Sequence, residues 1–364
     1  MLVLGTRPEA IKMCPLYREL KMRKSLSVTL CATGQHREML DEALAAFGVR
    51  PDFKPHSLKR GQGLSSLTSS ILSGVEDILA VEHPDLVLVH GDTATAHAAA
   101  LAAFYRHIPV GHVEAGLRSH NIKSPFPEEY NRRAIALMAK YHFAPTDTAK
   151  NNLIGEGVPP EEIFVTGNTV ADALALTVKK RYHHKILDTL KGGRILLLTL
   201  HRRESVGEPM RQVLRAVRRA VSERCDLRVI YPIHMNPAVR EIAAECLGGV
   251  ERVHIVEPLS VFDFHNILAR CDLVLTDSGG VQEEAAILGI PTLVAREVTE
   301  RTEGVRVGAL LLVGREEEYV YASLMRCLDG KREFDSHRPR LSLYGDGLAS
   351  KRIADIIEKT LGDT

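Results

Sequence analysis

The chain has 364 residues, 45% apolar and 26% charged, a composition of folded globular proteins and a length that implies more than one core. Its 47 Lys and Arg stand against 46 Asp and Glu, so the net charge is +1 and no cationic surplus exists to hold a nucleic acid. Six cysteines (Cys14, Cys31, Cys225, Cys246, Cys271, Cys327) are scattered without a CxxC pair, which fits thiols in a reducing compartment and offers no zinc site.

From Met1 the chain runs straight into an apolar strand, with no basic segment leading an apolar one, so no secretory signal is expected. The uncharged stretches are too short or too polar to cross a bilayer, and a cytoplasmic protein is the reading. Strands are predicted at residues 2–4, 28–33, 85–90, 163–166, 195–200, 229–234, 253–256, 273–276 and 310–313. Helices are predicted at 37–47, 94–105, 209–222, 282–288 and 349–361. Strands apolar on both faces and separated by helices imply a buried parallel sheet, the doubly wound α/β class.

A strand, a polar turn, a helix and a short next strand follow Asp85 and again Asp272. Either common βαβ grammar explains the match, or the chain holds two Rossmann-like domains facing across a cleft; the second is the economical reading. The expected domains are 1–170 and 190–344, joined by a linker at 171–189, with a C-terminal helix at 345–364 packing back on the first. The basic run from Lys179 to Lys185 is expected to be a solvated helix face within that linker.

Ligands of such sheets bind beyond the carboxyl ends of the strands. After the first strand, Gly5-Thr-Arg-Pro-Glu-Ala-Ile-Lys12 places Arg7 and Lys12 beside a helix N-terminus, either an anion site or an ordinary helix start. Ser278-Gly279-Gly280 repeats the arrangement, and the acids Glu283 and Glu284 behind it either suit the helix dipole or hold a ribose diol. Asp92, Glu114 and Glu128, with Glu129 beside it, are cap or turn acids if taken singly. If they converge, their repulsion raises at least one pKa and suits acid/base work. His201 and His234 end two equivalent strands, as catalytic or structural groups. His56, His142, His183, His265 and His337 are expected to be structural or exposed.

In chain order, Gly5-Thr-Arg-Pro-Glu-Ala-Ile-Lys-Met, Thr33-Gly-Gln-His-Arg-Glu-Met-Leu, Val89-His-Gly-Asp-Thr, Gly111-His-Val-Glu-Ala-Gly-Leu-Arg, Ser124-Pro-Phe-Pro-Glu-Glu, His201-Arg-Arg-Glu-Ser, Asp277-Ser-Gly-Gly-Val-Gln-Glu-Glu, Thr299-Glu-Arg and Tyr344-Gly-Asp-Gly resemble bacterial non-hydrolysing UDP-N-acetylglucosamine 2-epimerases. The resemblance spans nearly the whole chain. It implies a glycosyltransferase-B-like pair of domains, a homodimer, and interconversion of UDP-N-acetylglucosamine with UDP-N-acetylmannosamine for surface polysaccharides. Carried over by position, Asp92, Glu114, Glu128 and His201 fall in the catalytic group. Arg7, Lys12, Arg132, His234, Ser278, Gly279, Gly280, Glu300 and Arg301 fall among the substrate contacts, with Glu284 on the ribose and Phe264 beside the uracil. Gln35 and His36 match the site of a second, activating UDP-N-acetylglucosamine, although Glu38 and Gly61 depart from some members there.

The chemistry suits these residue types. The C2 hydrogen of an N-acetylhexosamine has no neighbouring carbonyl, but departure of UDP gives C1 oxocarbenium character and makes that hydrogen acidic. Such a route needs cations and N–H groups on the leaving diphosphate and more than one acid/base group, with no redox cofactor and no obligatory metal. Alternatives are a hydrolysing relative, an epimerase of a modified hexuronate (Leu200 and Thr302 depart from the family pattern), a retaining glycosyltransferase and a silent nucleotide-sugar sensor.

Overall fold

A computed structural model describes residues 1–34, 37–55, 63–190, 192–330 and 342–362. The chain divides into two compact units, Met1–Leu176 with Tyr344–Thr364, and Thr177–Leu343. Unit 1 comprises β1 (Leu2–Leu4), α1 (Arg7–Lys21), β2 (Leu30–Ala32), α2 (Arg37–Ala46), α3 (Leu64–Glu82), β3 (Val87–His90), α4 (Ala94–Tyr105), β4 (Val110–Val113), α5 (Glu128–Met138), β5 (Tyr141–Ala144), α6 (Asp147–Gly155), β6 (Ile163–Val165) and α7 (Thr169–Thr177). Unit 2 continues with α8 (Lys185–Thr189), β7 (Arg194–Thr199), α9 (Glu208–Glu223), β8 (Leu227–Pro232), α10 (Pro237–Leu247), β9 (Val253–Val256), α11 (Val261–Leu268), β10 (Leu273–Thr276), α12 (Gly279–Leu288), β11 (Thr292–Val294), α13 (Thr302–Arg306), β12 (Leu310–Leu312) and α14 (Glu317–Leu328). The chain ends in α15 (Ala349–Gly362).

Among the described residues each unit holds one six-stranded parallel sheet, in the orders β2-β1-β3-β4-β5-β6 and β12-β11-β10-β7-β8-β9. The α/β class read from the alternation is therefore the observed one. Parallel neighbours need crossover connections, and the helices supply them while covering the apolar strand faces. In unit 1, α4 lies between α3 and α5. Its buried Ala98, Ala99, Ala100, Ala102 and Ala103 let both neighbours approach closely. By length and composition α3 could cross a membrane, yet its Leu67, Ile71, Val75 and Leu79 stripe is buried in the core of unit 1.

Two details differ from the sequence reading. Tyr141–Ala144 forms a strand that was not expected, because Tyr141 and His142 mask a short run whose Phe143 is wholly buried. The basic run is no solvated helix face: residues 178–184 carry no helix. They lie along α11 instead, with Tyr182 Oη donating to Asp263 Oδ1 at 2.5 Å and the Arg270 guanidinium 5.2 Å from the Tyr182 ring. Beyond them α8 buries Ile186, which joins Leu190 in the core of unit 2. At the other end, the Asp172 carboxylate accepts from the N–H groups of Ala349 (3.2 Å) and Ser350 (2.9 Å), docking the start of α15 on unit 1. Gln35, His36, His56, Gly61 and His337 lie outside the described residues.

Candidate functional site

The polar turns at the strand ends of unit 1 are assembled around α1. Thr6 caps this helix and Glu9 completes the capping box, accepting from the N–H groups of Gly5 (3.0 Å) and Thr6 (2.7 Å) and from the Thr93 hydroxyl (2.7 Å). Burial pushes the Glu9 carboxyl up, against the pull of these donors. A Cβ at Gly5 would collide with the Thr95 and Thr33 hydroxyls, so the close approach of β1 to α4 requires glycine there. Arg7 opens α1 half-buried, and Lys12, one and a half turns further on, is buried.

Lys12 Nζ donates to Glu114 Oε2, which also accepts from Asn168 Nδ2 at 2.7 Å. His90 Nε2 stands 3.7 Å from the same oxygen. Glu114 follows β4 with φ of +63°, a left-handed conformation that strains a residue bearing a Cβ. Asp92 follows β3, where its carboxylate meets the buried Arg132 and its carbonyl accepts from Asn131 Nδ2 at 2.8 Å. The turn before it is pinned by His112, whose Nε2 donates to Gly91 O at 2.7 Å. Glu128 opens α5 half-buried, and its neighbour Glu129 is the structural acid. Glu129 accepts from Ser119 N (3.0 Å), His120 N (3.2 Å) and Arg132 (3.2 Å).

Mutual repulsion of Asp92, Glu114 and Glu128 is therefore not the governing effect: Lys12 and Arg132 each neutralise one carboxylate at close range. Three buried histidines of unit 1 are strongly displaced, as are the buried thiols Cys14 and Cys31, which burial pushes up to about 12. Desolvation holds His90 down at about 4, His112 at about 3 and His142 at about 4, so all three imidazoles are neutral.

In unit 2 the loops after β7 and β10 are joined by one buried acid. Asp277 accepts from the backbone N–H groups of His201 (3.0 Å) and Arg202 (2.9 Å), while His201 Nδ1 lies 3.5 Å from its other oxygen. The His201 ring remains 39% exposed and stacks on His234, centroids 5.5 Å apart. Ser278 caps α12 through the chain alone, leaving its hydroxyl outside any cap hydrogen bond, and Gly279 and Gly280 form the first turn. A Cβ at Gly279 would lie 2.9 Å from the Arg301 guanidinium, so that cation is pressed against the loop from behind. Arg301 pairs with Glu283 (2.8 Å) and Glu300 (3.3 Å), and Glu300 also takes Arg296 (3.0 Å). Burial pushes the Arg296 guanidinium down, against the pull of Glu300. Glu284 is buried facing His265, and Phe264 is half-buried beside that histidine.

In unit 1, Asp92 and Glu114 follow strands, Arg7 and Glu128 open helices, and Lys12 and Arg132 lie within α1 and α5; in unit 2, Ser278, Gly279 and Gly280 open α12, and Arg301 packs against Gly279. Sequence reasoning missed Glu9, His112, Asn131, Asn168 and Asp277, and left Glu129 and Glu283 without the ion pairs they make. Asp277 adjoins Ser278 and follows β10 directly, so position relative to the strand end was the available signal. Among the described residues no three His, Cys, Asp or Glu side chains are grouped to hold a metal ion.

The family model described as UDP-N-acetylglucosamine 2-epimerase matches residues 18–358. A Bacillus subtilis UDP-N-acetylglucosamine 2-epimerase is 50% identical over 98% of this chain and 93% of its own. The chain belongs to the UDP-N-acetylglucosamine 2-epimerase family. Among solved structures, S. aureus MnaA with UDP matches with a TM-score of 0.95 and 46% identity, covering 100% of this chain and 96% of that one. The Neisseria meningitidis UDP-GlcNAc 2-epimerase bound to UDP-GlcNAc matches with a TM-score of 0.93 and 40% identity, covering 98% and 99%. The twin parallel sheets described above are thus shared with solved 2-epimerases.

Proposed function

We propose that this family member interconverts UDP-N-acetylglucosamine and UDP-N-acetylmannosamine by inverting C2, without releasing free sugar. The Lys12–Glu114–Asn168 group carries the reading: a carboxylate able to take a proton, beside a cation able to pass to a departing diphosphate. The substrate bound by the Neisseria relative supports the choice of sugar nucleotide. In the proposed reaction the C1–O bond to UDP breaks with its electron pair on the phosphate oxygen. Arg7, Lys12 and His201, with the N–H groups of the Ser278–Gly280 turn, stabilise that charge. One carboxylate of Asp92, Glu114 and Glu128 then takes the C2 proton, leaving neutral 2-acetamidoglucal. A second returns a proton to the opposite face and UDP re-adds at C1, so two groups must titrate during turnover.

Glu284 is assigned the ribose diol and Phe264 the uracil; Arg132 holds Asp92, and His234, Glu300 and Arg301 shape the loops around His201 and Gly279. Gln35 and His36 are assigned to a second UDP-N-acetylglucosamine acting as activator. Six free cysteines, four of them buried, suit work in the cytoplasm. A homodimer is supported by exposed apolar side chains on three adjacent helices: Val81 (α3), Phe104 and Tyr105 (α4) and Leu137 (α5). Light scattering tests it, with Leu137→Glu expected to yield monomer.

The deciding experiment is proton NMR of the enzyme with UDP-N-acetylglucosamine in deuterated water. Deuterium at C2 and growth of the manno isomer with little free UDP are expected. Stoichiometric UDP and free N-acetylmannosamine would select the hydrolysing alternative, and epimerisation without solvent hydrogen entering C2 would end the elimination route.

A further inference from the structure

His265 looks structural in the sequence, and burial of the whole residue agrees. Its two ring nitrogens, however, face chemically different partners. Nδ1 lies 2.7 Å from Thr177 Oγ1, and Nε2 lies 3.7 Å from Glu284 Oε1. Electrostatics chooses the tautomer. A proton on Nδ1 would leave a lone pair aimed at a carboxylate in a buried space, which is repulsive. A proton on Nε2 lets the ring accept the Thr177 hydroxyl hydrogen at Nδ1 and present an N–H to Glu284.

The arrangement is unfinished. His265 Nε2 and Glu284 Oε2 are both buried, and among the described residues neither has a hydrogen-bond partner. The 3.7 Å gap exceeds hydrogen-bond reach. Buried polar atoms are nearly always satisfied, so an acceptor and a donor left open side by side await a group that arrives later. The Glu284 side chain keeps 9% exposure, and Gly280 places no side chain over it.

We infer that His265 is a positioning and specificity residue for Glu284. Its Nε2–H engages one carboxylate oxygen when a nucleotide arrives, turning the other toward the ribose 2′- and 3′-hydroxyls, and Thr177 holds the required tautomer. The inference rests on Glu284 being the ribose acid, as proposed above. The recognised feature is an intact vicinal diol, since a 2′-deoxy ligand leaves a buried acceptor unpaired.

The test compares calorimetric binding of UDP and 2′-deoxy-UDP to the full chain, with steady-state kinetics and thermal unfolding alongside. The unsubstituted protein is expected to prefer UDP by about tenfold or more. His265→Phe should shrink that preference to about threefold or less and raise KM about tenfold, with kcat within about twofold. His265→Gln, which still offers an N–H, should keep most of the preference. An unchanged preference in His265→Phe, where Glu284→Gln loses it, overturns the inference and leaves the ribose assignment standing. An unsubstituted protein that binds both ligands equally overturns the ribose assignment and the inference together. Should His265→Phe fail to fold, Thr177→Val decides: a fall of about threefold in preference supports the relay, and no change overturns it.

Discussion

The acid cluster of unit 1 and the glycine loop of unit 2 hold charge in opposite ways. In unit 1 the charged groups are side chains paired with side chains from separate elements: Lys12 of α1 and Asn168 before α7 meet Glu114 after β4, and Arg132 of α5 meets Asp92 after β3. In unit 2 the glycine loop opens α12 with no side-chain cap, and the charged side chains pair with one another around it. Asp277 clamps the chain at His201 and Arg202, and Arg301 lies against Gly279. Paired side chains can exchange protons and partners, whereas a clamped amide cannot. The first region suits chemistry, the second fixed binding, and substitutions should therefore divide between kcat and KM.

Glu114→Gln is the sharpest break: kcat should fall by about 10³-fold with KM within a few-fold, and deuterium entry at C2 should fall in parallel. An equal loss confined to KM would merge the two regions. Asp92→Asn should follow with a loss of about 10²-fold in kcat, read in the same assay. On the other side, Gly279→Ala brings a methyl within 2.9 Å of Arg301 and should raise KM for the sugar nucleotide while leaving kcat nearly unchanged.

The units should also part in acid. His90, His112 and His142 are depressed to about 4, 3 and 4, below the ordinary value near 6.5 of an unfolded chain. The native state then binds fewer protons than the unfolded one, so this stabilisation is whole above pH 6.5 and is lost as pH falls toward 4. Hydrogen exchange is expected to show unit 1 opening ahead of unit 2 across that window, and His112→Gln should flatten its slope. The smallest effect is at α15, where Asp172→Ala removes the acceptor for two N–H groups and should cost about 1 kcal/mol, visible as a lowered Tm.

The sheets were legible because β7 and β10 are near-continuous Leu, Ile and Val, and a strand buried on both faces has no polar alternation to hide it. Strand β5 was not, since Tyr and His fill half of its four positions. The acids and glycines of the site stood out because each follows a strand. What stayed hidden was pairing. Nothing local to Glu114 announces Lys12, 102 residues earlier, and nothing in the Lys179–Lys185 run announces its attachment to α11. Such contacts are set by tertiary distance, which a one-dimensional pattern does not encode.

The alanines of α4 have a further consequence. They set how near α3 and α5 can come, and α5 carries Arg132 to Asp92. A single added methyl anywhere along that face must push a neighbour outward, because close-packed interiors do not absorb volume. Remote substitutions that loosen the Arg132–Asp92 pair are therefore to be sought among the smallest side chains, far from any acid: its spacing is kept by residues with no charge of their own.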